Sequence, residues 1–399
     1  MPFDFSFFDQ RIDRQGTNSV KWSAPGLNLD GVIPMWVADM DFACAPAIQE
    51  AIQQRAAHPS YGYTYESDEC RTAFCAYWQR RHGASVLPDH MLTLPTVVSG
   101  LRACIGALTQ EGDGVIIQPP VYGPFHSTIA DAGRRLMEAP LRPDNRGRYS
   151  MDLDMVEQCL KNGAKIMLLC NPHNPVSRLW SADELAALSS LLIRYNAVLV
   201  SDEIHADFVY PPGSFYSMLC IEAAASHTVC LSAPSKTYNI AGLKQATLVA
   251  KDKPMRQKIA FWLQQHGVVS SNLFAMVASK AAYTACDDWL DGLIAYLNRN
   301  RTLLTSQLAH ELPDAMVTPI EATYLAWVHV RPYGTDQEAL MASCSRHGVL
   351  PYSGVVYGRE TGAGYIRINF GCPADQLTEG LSRFAAAMHD TLKQQGAGR

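Results

Sequence analysis

The stretch that decides how this chain folds is residues 228–244, TVCLSAPSKTYNIAGLK. Its first five residues predict a short buried strand, and the small residues after them bring Lys236 to the end of that strand. An amine held beside an apolar sheet loses part of its hydration, which lowers its pKa and makes it nucleophilic. Because most lysines are exposed, the stretch alone also fits an ordinary surface lysine.

The bulk composition favours a small-molecule ligand. The chain has 399 residues, which predicts two or three domains, and a net charge of −5. That charge provides no basic field for nucleic acid or for an anionic membrane surface. No apolar run is long enough for a membrane span or a signal peptide, so we expect a cytoplasmic protein. The 11 cysteines show no metal-ligand spacing and predict no metal site.

Short apolar runs alternate with helical patterns through the middle of the chain. The runs are MLTL, VIIQ, IMLLC, AVLVS, TVCLS and QATLVA, and helices are predicted over residues 100–110, 122–132 and 182–195. This alternation indicates an α/β fold with a mainly parallel sheet covered by helices on both faces. In such a sheet the ligand lies beyond the carboxyl ends of the strands.

Polar residues follow three of these runs directly. NPHNP (residues 171–175) follows IMLLC, Asp202 follows AVLVS, and Lys236 follows TVCLS. Taken singly, Asn-Pro is typical of a turn, and the aspartate fits a solvated loop or a helix cap. Together, three polar groups at three carboxyl ends predict one site.

The chain divides into three parts by pattern. Residues 1–45 predict an N-terminal arm and part of a small domain, with the apolar stretch VIPMWVADMDF (residues 32–42) laid against another surface. Residues 46–286 predict the large domain. Residues 287–399 predict a smaller α+β domain that begins with a long helix over 287–311.

The order Asn174, Asp202, Lys236, Arg367 resembles the fold-type I enzymes that use pyridoxal 5'-phosphate (PLP). This resemblance implies the aspartate aminotransferase-like fold, with a mainly parallel, seven-stranded-type sheet in the large domain. Seven phrases resemble the MalY/PatB branch of cystathionine β-lyases within this class. In chain order they are VIPMWVADMDF, YGYT, IMLLCNPHNPVSRLW, VSDEIHADF, SKTYNIAGLK, TYLAW and IRINFGCP. The resemblance covers essentially the whole chain.

The resemblance implies a role for each residue around the cofactor ring. Lys236 would hold PLP as a Schiff base and then act as the base at the substrate Cα. Asp202 would pair with the pyridine nitrogen and keep it protonated. Asn174 would donate to the ring O3′ oxygen and border the substrate. His205 either supports Asp202 from behind or is a simple packing histidine.

The phosphate group of PLP needs donors and positive charge. The resemblance assigns these to the backbone amides of Val97 and Val98 at a helix N-terminus, to Ser235 and to Lys244. Lys244 stands where the wider family often has arginine, and it also fits an exposed lysine. Ala233 stands where aminotransferases often have a phosphate-binding serine. Ser177 stands where the branch usually has glycine. If that position requires a positive φ, a serine there destabilises the backbone conformation relative to glycine.

The substrate side of the site is implied in the same way. Tyr122 would lie over the ring face and assist proton transfer, although it also fits a core aromatic residue. Arg367 would bind the substrate α-carboxylate through two parallel N–H···O hydrogen bonds. The alternative is an ordinary arginine that points outward from an edge strand. Trp36 and Ala38 would border that carboxylate.

Tyr63 in YGYT resembles a tyrosine that reaches the phosphate bound by the partner subunit. This implies a homodimer in which each active site is built from two chains.

The function implied is carbon–sulfur β-elimination. An L-amino acid with sulfur on Cβ, such as L-cystathionine, would give a thiol, pyruvate and ammonia. One alternative is an aminotransferase, because the same lysine base serves both reactions. Another is a PLP-fold protein with an additional regulatory binding role. A binding role alone would not require the set Asn174, Asp202, Lys236 and Arg367.

Overall fold

A seven-stranded sheet forms the centre of the computed structural model, which describes residues 3–24, 29–268 and 272–397. In spatial order its strands are Met91–Leu94, Ala246–Val249, Thr228–Ser232, Val198–Asp202, Ala164–Cys170, Gly114–Ile117 and Arg135–Glu138. Only Ala246–Val249 runs antiparallel to its neighbours. The predicted α/β fold with a mainly parallel sheet is therefore confirmed.

The six strands predicted from apolar runs all belong to this sheet, and its seven strands agree with the number that the resemblance implies. The seventh strand matches none of the apolar runs. Arg135–Glu138 lies at the sheet edge, and three of its four residues are exposed. An edge strand with one solvated side lacks the continuous apolar pattern of a strand buried on both faces.

Helices cover both faces of the sheet. The α-helices are Phe5–Phe8, Val20–Ser23, Pro46–Ala57, Asp68–His82, Val97–Leu108, Pro124–Asp131, Leu153–Lys161, Ala182–Arg194, Pro234–Thr237, Lys253–Gln265, Leu273–Ala285, Asp287–Glu311, Gln337–Arg346 and Ala374–Ala397. The apolar side chains of Val97–Leu108 and Lys253–Gln265 pack with one face of the sheet. In the described part of the chain no helix has the length and apolarity of a membrane span.

A smaller antiparallel sheet follows the long helix Asp287–Glu311. Its strands, in spatial order, are Met316–Val317, Leu325–His329, Tyr365–Asn369 and Tyr352–Ser353. Two further strand pairs are parallel Ile33–Pro34 with Val349–Leu350 and antiparallel Arg142–Pro143 with Tyr149–Ser150. Through the first pair, the N-terminal segment around residue 33 is hydrogen-bonded to the C-terminal part of the chain, which also forms the smaller sheet. The divisions at residues 45/46 and 286/287 stay predictions.

Candidate active site

A cavity of about 270 Å³ lies beyond the carboxyl ends of the central strands. The register explains this location, because Cys170 pairs with Asp202 and Asp202 pairs with Leu231 across three parallel strands. The polar residues that follow these strands therefore emerge at one edge. The predicted site residues in the cavity wall are Ala38, Val97, Val98, Tyr122, Asn174, Asp202, His205, Ser235, Lys236 and Lys244.

Lys236 lies on the short helix Pro234–Thr237, directly after the buried strand Thr228–Ser232. Its Nζ donates a hydrogen bond to the carbonyl oxygen of Ala38. Loss of hydration lowers the pKa of this amine to about 8, against the smaller opposing effect of the Asp39 carboxylate. Near neutral pH the neutral, nucleophilic form of this amine is therefore far more populated than it is in an exposed lysine.

Asp202 ends the neighbouring strand and is 3% exposed. Burial raises the pKa of its carboxyl to about 7, although the backbone amide of Ile204 donates to Oδ1 at 3.1 Å and Lys236 adds a favourable charge. Without a cationic partner in contact, burial disfavours the charged form of this group. A protonated ring nitrogen in the cavity is the kind of partner that such a carboxylate requires.

Asn174 is joined to Arg367, which comes from the smaller sheet. Arg367 Nη1 donates to Asn174 Oδ1 at 3.1 Å, and Nη2 donates to the carbonyl of Trp36. The guanidinium carbon lies 5.2 Å and 5.0 Å from the ring centroids of Tyr352 and Tyr357. Arg367 is 3% exposed, and its buried Nε has no hydrogen-bond partner among the described residues. That donor is available to a carboxylate.

Trp36 and Arg367 border the cavity region without lining the cavity itself. The indole of Trp36 stacks on the ring of Tyr352 at 5.8 Å between centroids. The hydroxyl of Tyr324 donates to the Ala38 carbonyl at 2.9 Å. Contacts of this kind join residues far apart in the chain, and a single sequence carries no signal for them.

Tyr122 and His205 also line the cavity. Burial raises the pKa of the Tyr122 phenol to about 12, and the nearby Asp202 carboxylate acts in the same direction. Burial lowers the pKa of His205 to about 3, so its ring is neutral near neutral pH. His205 Nδ1 has no partner in the described structure, and the ring packs against Tyr324 at 5.8 Å between centroids. The role of His205, either as support for Asp202 or as a packing residue, stays a prediction.

The N-terminus of the helix Val97–Leu108 points into the cavity. Thr96 caps this helix by accepting from the amide of Ser99 at 3.1 Å, whereas the amides of Val97 and Val98 have no acceptor within the helix. Gly100 allows the helix to lie close to the sheet, since a Cβ there would be 2.6 Å from a methyl carbon of Leu231. The helix terminus suits an anion such as phosphate.

Lys244 and Ser235 complete this end of the cavity, and Ala233 also lies in its wall. Lys244 is exposed and has a positive φ of 57°. The cavity wall also contains residues that were not predicted as site residues, among them Cys170, Ile204, Ala241 and Gln245. Cys170 is the last residue of a central strand, and that position is the signal by which the sequence could have placed it in the site.

Ser177 has a φ of 54°, so the position that favours glycine carries a side chain in the left-handed region. Its hydroxyl lies 2.9 Å from the hydroxyl of Thr323, which has a φ of 63°, and it also donates to the carbonyl of Leu325. These bonds join the loop that carries Asn174 to the smaller sheet and offset the backbone cost.

Tyr63 is fully exposed and does not line the cavity of its own chain. The neighbouring side chains of Tyr61 and Tyr65 are exposed as well. This is the one predicted site residue that a single chain does not bring near the others.

The family model for aminotransferase class I and II matches residues 31–384. The chain belongs to this family. Within the aminotransferase class I and II family, the chain is 37% identical to cystathionine beta-lyase PatB of Bacillus subtilis (strain 168) over 388 residues, which cover 96% of this chain and 99% of PatB. It is 32% identical to protein MalY of Escherichia coli (strain K12), over 95% of this chain and 97% of MalY. The predicted MalY/PatB branch is confirmed.

A solved structure in the same fold is that of cystalysin from Treponema denticola, which contains a PLP cofactor. It has a TM-score of 0.92 and 29% identity, and the match covers 96% of this chain and 98% of cystalysin. This aminotransferase family is PLP-dependent, and the cavity fits PLP at three points. It holds an amine of lowered pKa, a buried carboxyl that no cation of the described residues contacts, and amides at a helix N-terminus that have no acceptor within the helix.

Proposed function

We propose that this protein is a PLP-dependent carbon–sulfur β-lyase of the cystathionine β-lyase type. The observation that carries the proposal is the arrangement of Lys236, Asp202 and Arg367 about one cavity, in a chain that matches PatB over almost its whole length. The substrate class is L-cystathionine and related S-substituted L-cysteines.

The position of each residue around the cavity gives it a role toward the cofactor or toward the substrate. The amides of Val97 and Val98 and the side chain of Lys244 would hold the cofactor phosphate, and Asp202 would hold a proton on the pyridine nitrogen. Arg367 binds the substrate α-carboxylate and so fixes the orientation of Cα. Bound PLP supplies an electron sink for the pair released at Cα.

Lys236 is the group placed to move protons. Its amine would hold the cofactor, and as a free base it would take the proton from the substrate Cα. The Cβ–S bond then breaks, sulfur leaves with the bonding pair, and a proton converts the thiolate to a thiol. The remaining three-carbon fragment is hydrolysed to pyruvate and ammonia. Tyr122, in the cavity wall, is placed to assist this proton transfer.

The test is an assay of pyruvate and free thiol with L-cystathionine and a panel of S-substituted cysteines. We expect both products in equal amounts from the PLP-loaded protein. Lys236→Ala should abolish them together with the absorbance of lysine-bound PLP. Lys258→Ala, an exposed lysine on the helix Lys253–Gln265, is the matched control and should change neither. A PLP-loaded protein that forms no pyruvate from any member of the panel contradicts the proposal.

Transamination is the second candidate, because the family model is that of aminotransferases. The same lysine base would return its proton to the cofactor rather than permit loss of a group from Cβ. Single-turnover absorbance spectra separate the two reactions. A cofactor converted to its amine form by an amino acid, and restored by a 2-oxo acid, identifies an aminotransferase.

We also propose a homodimer with shared active sites and a cytoplasmic location. The exposed Tyr63 fits a contact with the phosphate bound by a second copy of this chain, and the resemblance of YGYT supports it. All 11 cysteines are free thiols in the structure, as in proteins of a reducing compartment.

A further inference from the structure

Four charged side chains of the N-terminal segment form a cluster beside the active site, here called the arm cluster: Arg14, Lys21, Asp39 and Asp41. Lys21 and Asp41 are 1% and 2% exposed, with Lys21 Nζ 2.7 Å from Asp41 Oδ2. Arg14 lies 2.8 Å from a carboxylate oxygen of each aspartate. Two cations thus face two carboxylates, and the charges balance.

The polar atoms of Asp41 are fully used. Besides Arg14 and Lys21, the indole of Trp22 donates to Oδ1 at 2.8 Å and the amide of Gln376 donates to Oδ2 at 2.9 Å. Burial alone would raise the pKa of Asp41, but the charges of Lys21 and Arg14 hold it below its ordinary value. An apolar set of similar volume generally stabilises a fold as well as such a cluster does. Stability alone therefore gives a weak account of it.

The arm cluster lies on the backbone segment that contacts the catalytic groups. The carbonyl of Asp39 accepts from Lys21 Nζ at 3.1 Å. Three residues earlier, the carbonyl of Trp36 accepts from Arg367, and between them the carbonyl of Ala38 accepts from Lys236. The ion pairs and the two site contacts thus act on one stretch of four residues.

A second set of contacts holds the same stretch from the other side. Asn369 Nδ2 donates to the carbonyls of Val37 and Asp39 at 2.6 and 2.7 Å. Asn239 exchanges hydrogen bonds with both backbone groups of Met40, at 3.0 and 2.9 Å. The arm cluster and these two asparagines together hold the backbone segment whose carbonyls accept from Lys236 and Arg367.

We propose that Lys21, Asp41 and Arg14 are positioning residues, which through the arm cluster fix the carbonyl of Trp36 and thereby the direction in which Arg367 presents its guanidinium to the substrate α-carboxylate. The inference rests on the proposed function for the role of Arg367. It assigns no proton transfer and no substrate contact to the arm cluster itself.

The experiment measures binding of L-alanine, which has the α-carboxylate and amine of a substrate but no group to eliminate. Binding to the PLP-loaded protein is followed by the change in cofactor absorbance. We expect Asp41→Asn and Arg14→Gln each to raise the Kd for L-alanine about tenfold, because a misdirected guanidinium loses one of its paired hydrogen bonds. Arg14→Lys keeps the charge and should remain near the unaltered protein.

The matched control is Arg11→Gln. It removes an exposed ion pair of the same N-terminal segment, Arg11 with Asp375 at 2.8 Å, and should leave the Kd unchanged. In the altered proteins we expect KM for an S-substituted cysteine to rise more than kcat falls. If Tm falls in Asp41→Asn and Arg14→Gln while the Kd for L-alanine stays within about twofold, the arm cluster is only structural and the inference is overturned. Because L-alanine binding requires no C–S cleavage, absence of lyase activity alone would refute the proposed function without deciding this test.

Discussion

Arg367 and Asn174 meet side chain to side chain at 3.1 Å, although they are 193 positions apart in the chain. Arg367 belongs to the strand Tyr365–Asn369 of the smaller sheet, and Asn174 follows the strand Ala164–Cys170 of the larger one. The bond joins the proposed carboxylate-binding group to the proposed ring-binding group. Displacement of one sheet relative to the other therefore alters both.

Replacement of Arg367 by lysine should lower kcat/KM for an S-substituted cysteine by about a hundredfold, because lysine keeps the charge but loses the planar fork that binds both carboxylate oxygens. Steady-state kinetics measure the effect. The control is Arg102→Gln, which removes an exposed ion pair with Asp131 and should leave kcat/KM unchanged. Kinetics of Arg367→Lys equal to those of the unaltered enzyme would remove Arg367 from the site.

Attachment of PLP to the cofactor-free protein should accelerate as pH rises toward 8 and level off above it. The reason is that only the neutral amine of Lys236 is nucleophilic, and burial lowers its pKa to about 8. Stopped-flow absorbance at a series of pH values gives the profile. A rate that continues to rise through pH 10 would show that the amine keeps the pKa of an exposed lysine.

Ser177 offers a test of local strain. Ser177→Ala keeps a side chain at φ 54° but loses the bonds to Thr323 and Leu325, so it should lower the free energy of unfolding by about 1–3 kcal/mol. Ser177→Gly loses the same bonds but relieves the backbone, so it should be about 1 kcal/mol more stable than Ser177→Ala. Urea unfolding of the cofactor-free proteins measures both. Equal stability of the two variants would contradict the strain.

The shared active site predicts complementation between two inactive proteins. Lys236→Ala lacks the base, and Tyr63→Ala should have a weakened hold on the phosphate in its partner. If the two are unfolded together and refolded as an equal mixture, half of the dimers contain one chain of each kind and one intact site, which restores up to about a quarter of full activity. Refolding each variant alone is the control. Activity no greater than the average of the separate samples would exclude a shared site.

The sequence was most informative where chemistry and pattern coincide. The strands that end at Cys170, Asp202 and Ser232 are buried apolar runs followed at once by polar residues, so both the sheet and the edge that carries the site could be predicted. The edge strand Arg135–Glu138 is largely exposed and could not. The antiparallel direction of Ala246–Val249 could not be predicted either, because an apolar run does not show in which direction its strand crosses the sheet.

The contributions of Trp36, Ala38 and Arg367 depend on pairing between distant segments. Their places came from resemblance to a family, since periodicity cannot bring residue 36 to residue 367. The contacts among Lys21, Asp39 and Asp41 had no sequence signal, because charged residues in an irregular segment are ordinarily solvated.

The cavity keeps an amine and a carboxyl, Lys236 and Asp202, in surroundings that disfavour the charged form of each. A cofactor that engages both removes this penalty and binds only the folded chain, so occupancy and folding are thermodynamically linked. In a cell short of vitamin B6, a larger fraction of the chains would be unfolded and exposed to proteolysis. The amount of this enzyme should therefore follow the supply of its vitamin even when its synthesis is constant.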